Sequence, residues 1–106
     1  MATPRILSRE EALQLVRRYK QVIAPRFNNQ VKVMMYGSYA KGSPNQWSDI
    51  DVAVIIPKIN NDEWLKQSAH LVHEGHVLNS LIEPVLMEDN EDSILYADVI
   101  QSGIAV

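Results

Sequence analysis

Two aspartates, Asp49 and Asp51, stand at the head of the otherwise apolar run Ile50 to Ile56, and no other feature constrains the fold of this chain as strongly. Seven residues so rich in Val and Ile read as a central strand covered on both faces, with Pro57 ending it. Side chains alternate across a strand, so Asp49 and Asp51 project from one face, a single pleat apart. A carboxylate inside such a strand is costly unless a cation, a partner or solvent at the strand end compensates its charge. A second short run, Val31 to Tyr36, alternates in the β pattern and leads directly into Gly37-Ser38, with ten residues between Ser38 and Asp49.

This arrangement carries its own chemistry. Glycine lets a backbone approach a ligand closely, and a strand-to-helix turn exposes unpaired N–H groups suited to phosphate oxygens. Paired carboxylates one pleat apart suit a shared divalent ion. A Gly-Ser turn beside an Asp pair therefore points to phosphoryl or nucleotidyl transfer. The turn is not a Walker loop, because the spaced second glycine and the Gly-Lys-Ser/Thr ending are missing. Two-metal transfer commonly uses a third carboxylate, and Glu83, within the apolar run Leu81 to Met87, is the best candidate. Pro84 beside it implies an edge or bulged strand. Glu88, Asp89, Glu91 and Asp92 read as a solvated acidic turn.

The rest of the chain alternates helices with strands. Ser8 to Glu11 reads as a capping box, and Leu13, Val16, Tyr19, Val22 and Ile23 follow at helical spacing, so a helix is expected to about Ala24. Pro25 stops it and Asn28-Asn29 form a turn. Asn60, Asn61 and Asp62 are N-cap candidates for a second helix, whose inward stripe would take Trp64 or Leu65, Ser68 or Ala69, and Leu71 or Val72. A third helix is expected to start at Asn90 to Asp92, run through Ile94, Leu95, Val99 and Ile100, and end at Gly103 in the left-handed conformation. Ile104 to Val106 would make a last short strand. The expected class is α/β (α+β), with helices flanking a small mixed sheet.

Composition narrows the function. At 106 residues a single domain spanning 1–106 is expected. With 46% hydrophobic and 22% charged residues the chain is ordinary for a globular protein. A net charge of −3 argues against broad electrostatic binding of nucleic acid, and the local basic group Arg17, Arg18 and Lys20 reads as a solvated helix face. The absence of cysteine excludes disulfides and thiolate-metal sites. No apolar run approaches the roughly 18 residues of a membrane span, and no apolar segment follows the N-terminus, so a cytoplasmic protein without membrane contact is expected.

His70, His73 and His76 stand three residues apart, but steps of three rotate around a helix. Gly75 is expected to end that helix before the third histidine, so they are not read as a metal site. The tryptophans and tyrosines read as packing, although Tyr39 and Trp47 bracket the phosphate turn and could touch a base or a partner.

GSYAKGSPNQWSDIDVAV resembles the GSx₁₀DxD signature of polymerase β-type nucleotidyltransferases, and most closely their small stand-alone members, the minimal nucleotidyltransferases. The likeness spans most of the chain. It implies the polymerase β-like fold and an Mg²⁺-dependent enzyme, with ATP as substrate and two ions expected. Gly37 and Ser38 would hold the triphosphate, with Lys41 and Ser48 as further nucleotide contacts. Asp49 and Asp51 would bind the ions, and Glu83 would be the third carboxylate, where the family usually has Asp. The family commonly shows Arg at the place of Tyr39.

The resemblance also implies a role. Larger relatives carry a second domain for the acceptor, so this chain would borrow an acceptor site. Minimal members resemble antitoxins of helical HEPN-type ribonuclease toxins, and some are thought to adenylylate a tyrosine on that partner. The leading expectation is transfer of AMP from ATP to such a tyrosine. A non-catalytic antitoxin acting by contact and an aminoglycoside-type enzyme with a separate acceptor subunit are the alternatives, and a homo-oligomer is allowed for.

Overall fold

The computed structural model describes residues 6–106. Helix α1 (Arg9–Ile23) begins with the expected capping box: Ser8 Oγ accepts from the Glu11 N–H at 3.0 Å, and Glu11 Oε1 accepts from the Ser8 N–H at 3.0 Å. Pro25 converts the chain to a 3₁₀ turn, Ala24–Phe27, and Asn28 and Asn29 then turn it in left-handed conformations. Strand β1 (Lys32–Tyr36) runs into a five-residue helix α2 (Gly37–Lys41), which ends on left-handed Gly42. Strand β2 (Ile50–Ile56), helix α3 (Trp64–Leu78), strand β3 (Ile82–Glu88), helix α4 (Ile94–Ser102) and the short strand β4 (Ile104–Ala105) follow.

The four strands form one mixed sheet in the order β3-β2-β1-β4. β1 pairs antiparallel with β2 and with β4, whereas β2 and β3 run parallel and are joined by α3. The expected central strand is central, and the Pro84-bearing strand lies at an edge, where the missing N–H of proline breaks no ladder.

The two faces of the sheet differ in cover. Val33 and Met35 of β1 and Ile50, Val52, Val54 and Ile56 of β2 join Ala12, Leu13, Val16, Tyr19 and Ile23 of α1 and Leu71 of α3 in the main core. Tyr36, Ala53, Ile55 and Met87 face the other way, against Val99 and Tyr96 of α4. One helix covers only part of that second face. Its other part, at the C-terminal end of β1 and the N-terminal ends of β2 and β3, is where the acidic residues lie.

Several local expectations are corrected. Helix α3 starts at Trp64 after Glu63, not at the Asn-Asn-Asp cluster, because Asn60 Oδ1 is used in accepting from the Asp62 N–H at 3.0 Å. Of its expected inward stripe only Leu71 is fully buried, while Trp64 and Leu65 are exposed. Gly75 does not end α3. A Cβ there would lie 2.9 Å from Ile82 Cγ2, so this glycine lets the helix sit down on β3. Helix α4 is capped by Ser93, whose Oγ accepts from the Tyr96 N–H at 3.1 Å, rather than by residues 90–92. Gly103 is extended (φ −76°, ψ 162°), not left-handed. Its lack of a side chain serves close approach, since a Cβ would lie 2.5 Å from the Val99 carbonyl oxygen.

The acidic turn after β3 is bonded rather than merely solvated. Glu88 Oε1 accepts from the Ile59 N–H at 2.8 Å, and Glu91 Oε1 accepts from the Glu88 N–H at 2.8 Å. Among the described residues no helix is long and apolar enough to cross a membrane.

Candidate active site

The site is built where β1 ends and β2 begins. Tyr36 pairs with Asp51 across the antiparallel ladder, so the residue after Tyr36, Gly37, turns away directly beside the Asp51 side chain. Gly37 has φ +74°, and a Cβ on it would fall 2.2 Å from Asp51 Oδ2. Glycine is required there twice over, for its backbone angle and for the carboxylate against its Cα. The two halves of the motif, separated by a loop in sequence, thus touch in space. Ser38 follows in the first turn of α2, whose leading N–H groups have no partner within the helix.

Parallel pairing brings in the third acid. Asp51 stands opposite Glu83 in the β2–β3 register, so both side chains share the face that α4 leaves open. Burial, then the charges of Asp49 and Glu83, push the Asp51 carboxyl above the usual range. Burial and the charges of Asp51 and Asp98 likewise raise the neighbouring Tyr36 phenol. Asp49 is exposed just ahead of β2, and Asp51 is half-buried.

These observations test the fit of a divalent cation. Carboxylates that repel one another, one of them half-buried, with hard oxygen donors and no cysteine, suit Mg²⁺ chemically. Their spacing is looser than a finished cage: among the described residues no three His, Asp or Glu side chains converge closely enough to enclose an ion. Mg²⁺ held by one or two carboxylates commonly completes its coordination with phosphate oxygens and water. The donor set fits on those terms.

The other expected contacts separate. Lys41 is exposed at the end of α2. Ser48 Oγ accepts from the Asn45 N–H at 2.9 Å and braces the α2–β2 loop. In the same loop Trp47 is 78% exposed, so this tryptophan is not packed as expected. Tyr39 points the other way and is 1% exposed, its hydroxyl accepting from the Leu7 N–H at 3.3 Å. It is a core residue and cannot reach a base. Of the basic group on α1, Arg17 pairs with Glu10 at 3.1 Å and Lys20 donates to the Val106 carbonyl at 2.7 Å.

One neighbour of the site is hidden in the sequence. His76 lies in the last turn of α3, with Nε2 3.3 Å from Glu83 Oε1. A helix ending at Gly75 would have excluded it. The apolar contact of Gly75 with Ile82 is the signal that keeps His76 on the helix and beside Glu83.

Comparisons with known proteins bear on the fold and the family. A protein from Sulfolobus solfataricus described as a candidate nucleotidyltransferase superposes with a TM-score of 0.64 at 17% identity, over 98% of this chain and 90% of that one. A mutant of the toxin–antitoxin MntA-HpeT, in which two aspartates one residue apart are changed to glutamate, superposes with a TM-score of 0.51 at 20% identity, over 93% of this chain and 72% of that one. A toxin–antitoxin structure with AMP-PNP gives a TM-score of 0.52 at 20% identity over the same shares. At these identities the likeness establishes the mixed-sheet fold. A comparison with curated proteins returned no match. The sequence profile of the nucleotidyltransferase domain matches residues 16–103, from α1 through the whole acidic site to the end of α4, and the chain belongs to the nucleotidyltransferase domain family.

Proposed function

We propose that this nucleotidyltransferase moves AMP from ATP to a hydroxyl acceptor, and that the acceptor is a tyrosine on a helical HEPN-type toxin. The observation that supports the reading is the close approach of Gly37, in the turn proposed to bind phosphate, to the carboxylate of Asp51, an acid proposed to bind the cation. The toxin partner is supported by the fold shared with the MntA-HpeT toxin–antitoxin, and ATP by the related structure with AMP-PNP.

In this reading the first-turn N–H groups at Gly37 and Ser38 receive the triphosphate, and Lys41 on the following turn offers a phosphate a positive charge. Asp49 and Asp51, with Glu83, would hold Mg²⁺. When bound, the ion neutralises charge on the transferring phosphate and leaving pyrophosphate. The acceptor oxygen forms a bond to the α-phosphorus in line as the bond from that phosphorus to the bridging oxygen breaks. Pyrophosphate leaves with that electron pair, and the hydroxyl proton passes to Glu83. Catalysis comes mainly from position and from charge compensation in the acidic corner.

The test is incubation of the chain with α-labelled ATP, Mg²⁺ and a purified HEPN-type partner, beside an Asp49→Ala/Asp51→Ala control. Label on the partner that the control fails to add, and that disappears when the acceptor tyrosine becomes Phe, is the expected result. Binding of ATP without any transfer would move the acceptor to a small molecule. Neutralisation of the partner without ATP binding would leave a contact antitoxin in its place.

A further inference from the structure

Glu83 stands on an edge strand and beside a proline, where only one neighbouring strand holds its backbone. Glutamate also carries one of the larger rotamer entropies, so an unsupported Glu83 would spend much of its time away from a working geometry. The structure supplies a support. Among the described residues His76 is the one hydrogen-bond partner of the Glu83 carboxylate, at 3.3 Å from Nε2 to Oε1.

The support is itself firmly placed. Gly75, next to His76 in the chain, lets the last turn of α3 sit close to Ile82, the residue before Glu83, and to Tyr19 of α1. The turn from α3 into β3 is closed by three bonds. The Asn79 N–H donates to the Gly75 carbonyl at 2.8 Å, the Leu81 N–H to Asn79 Oδ1 at 2.9 Å, and the Ile82 N–H to the Asn79 carbonyl at 3.1 Å. His76 and Glu83 are thus seven residues apart across a fixed corner. Glu83 in turn stands opposite Asp51 in the parallel register.

We propose that His76 is a positioning residue for Glu83: the imidazole N–H holds Oε1 and leaves Oε2 as the oxygen for the cation or for the acceptor proton. This rests on the transferase reading above. His76 touches neither nucleotide nor acceptor and acts through Glu83 alone. The two side chains are 42% and 44% exposed, so the contact is strong enough to bias a rotamer but not to hold the fold together.

The experiment compares the intact chain with His76→Ala, His76→Gln, Glu83→Gln and the His76→Ala/Glu83→Gln double variant. It reads steady-state transfer and, separately, Mn²⁺ affinity by calorimetry with a non-hydrolysable ATP analogue present. His76→Ala is expected to lower kcat about 3–10-fold with KM for ATP unchanged, and to weaken Mn²⁺ binding by a similar factor. His76→Gln, which keeps a donor at similar reach, is expected to recover most of both. In the Glu83→Gln background the His76 change should have no further effect. Full activity and Mn²⁺ affinity in His76→Ala, or an equal loss in both backgrounds, overturns the positioning role while the transferase stands. An intact chain that neither transfers nor binds Mn²⁺ with the analogue overturns the transferase reading, and the role of His76 with it.

Discussion

Two aspartates at opposite ends of the β2–β3 pair meet opposite surroundings. Asp51, at the start of β2, is half-buried among Asp49 and Glu83, and its carboxyl is raised. Asp89, one residue beyond β3, accepts from Lys32 Nζ at 3.1 Å and from the Tyr96 hydroxyl at 2.9 Å. Those hydrogen bonds, Lys32 first and Tyr96 second, hold its carboxyl below the usual range. The sheet supports both. At Asp89 the protein itself supplies the counter-charge, and the residue ties β1, β3 and α4 together. At Asp51 the protein supplies more negative charge, and in the proposed reading the balance is left for a ligand. An acid that its own fold leaves uncompensated is a better guide to function than one that is merely conspicuous in sequence.

The comparison is broken most directly by neutralising each residue. Asp51→Asn is expected to lower nucleotidyl transfer on the order of 10³-fold while leaving the protein as stable as before or more so, since it relieves repulsion. Asp89→Asn is expected to spare transfer and cost stability. A thermal-unfolding and transfer assay on the two variants checks both halves; loss of activity in Asp89→Asn with none in Asp51→Asn would reverse the assignment. Gly37→Ala comes next. It meets a left-handed φ of +74° and the Asp51 carboxylate 2.2 Å from the new Cβ, so it should cost roughly 1–3 kcal/mol in denaturant unfolding. Replacing Asp51 by Ala in the same chain should recover part of that cost, because the obstacle is then gone.

The smallest effect is the sharpest in sign. Asp51 is raised in the folded state, so its contribution favours folding below the unfolded pKa and is lost as pH rises through the folded one. Asp89 is lowered, so its contribution is present above the unfolded pKa and is lost as pH falls through the folded one. Across the acidic range, denaturant midpoints should therefore show Asp51→Asn gaining on the intact chain as pH rises and Asp89→Asn falling behind it. Parallel curves for the two variants would refute the contrast.

Much of the fold is legible in the sequence alone. The capping box at Ser8, the strand at Ile50 to Ile56 and the edge character of Pro84 are local signals, and local chemistry decides them. The Asp pair and the Gly-Ser turn are legible as one site because a single short loop joins them. What the sequence hides depends on distant neighbours. Gly75 reads as a helix end in isolation, but contact with Ile82 and Tyr19 makes it an interior residue, and His76 is hidden with it. Tyr39 lies beside the motif in sequence, yet one further step around α2 turns it into the core to meet Leu7. Gly103 reads as a left-handed cap, whereas its role is to clear the Val99 carbonyl.

The parallel pairing of β2 with β3 has a consequence for folding accuracy. Asp51 stands opposite Glu83, with Ile50 opposite Ile82 and Val52 opposite Pro84. Sliding β3 by one position would swap its two faces, driving the Glu83 charge beneath α3 and α1 and turning Ile82 out to water. A misaligned chain would bury an uncompensated carboxylate at a cost that hydrophobic packing alone would not impose. The acids of the candidate site thus also proofread the alignment of the sheet, so a correctly assembled scaffold and a correctly assembled site are reached together.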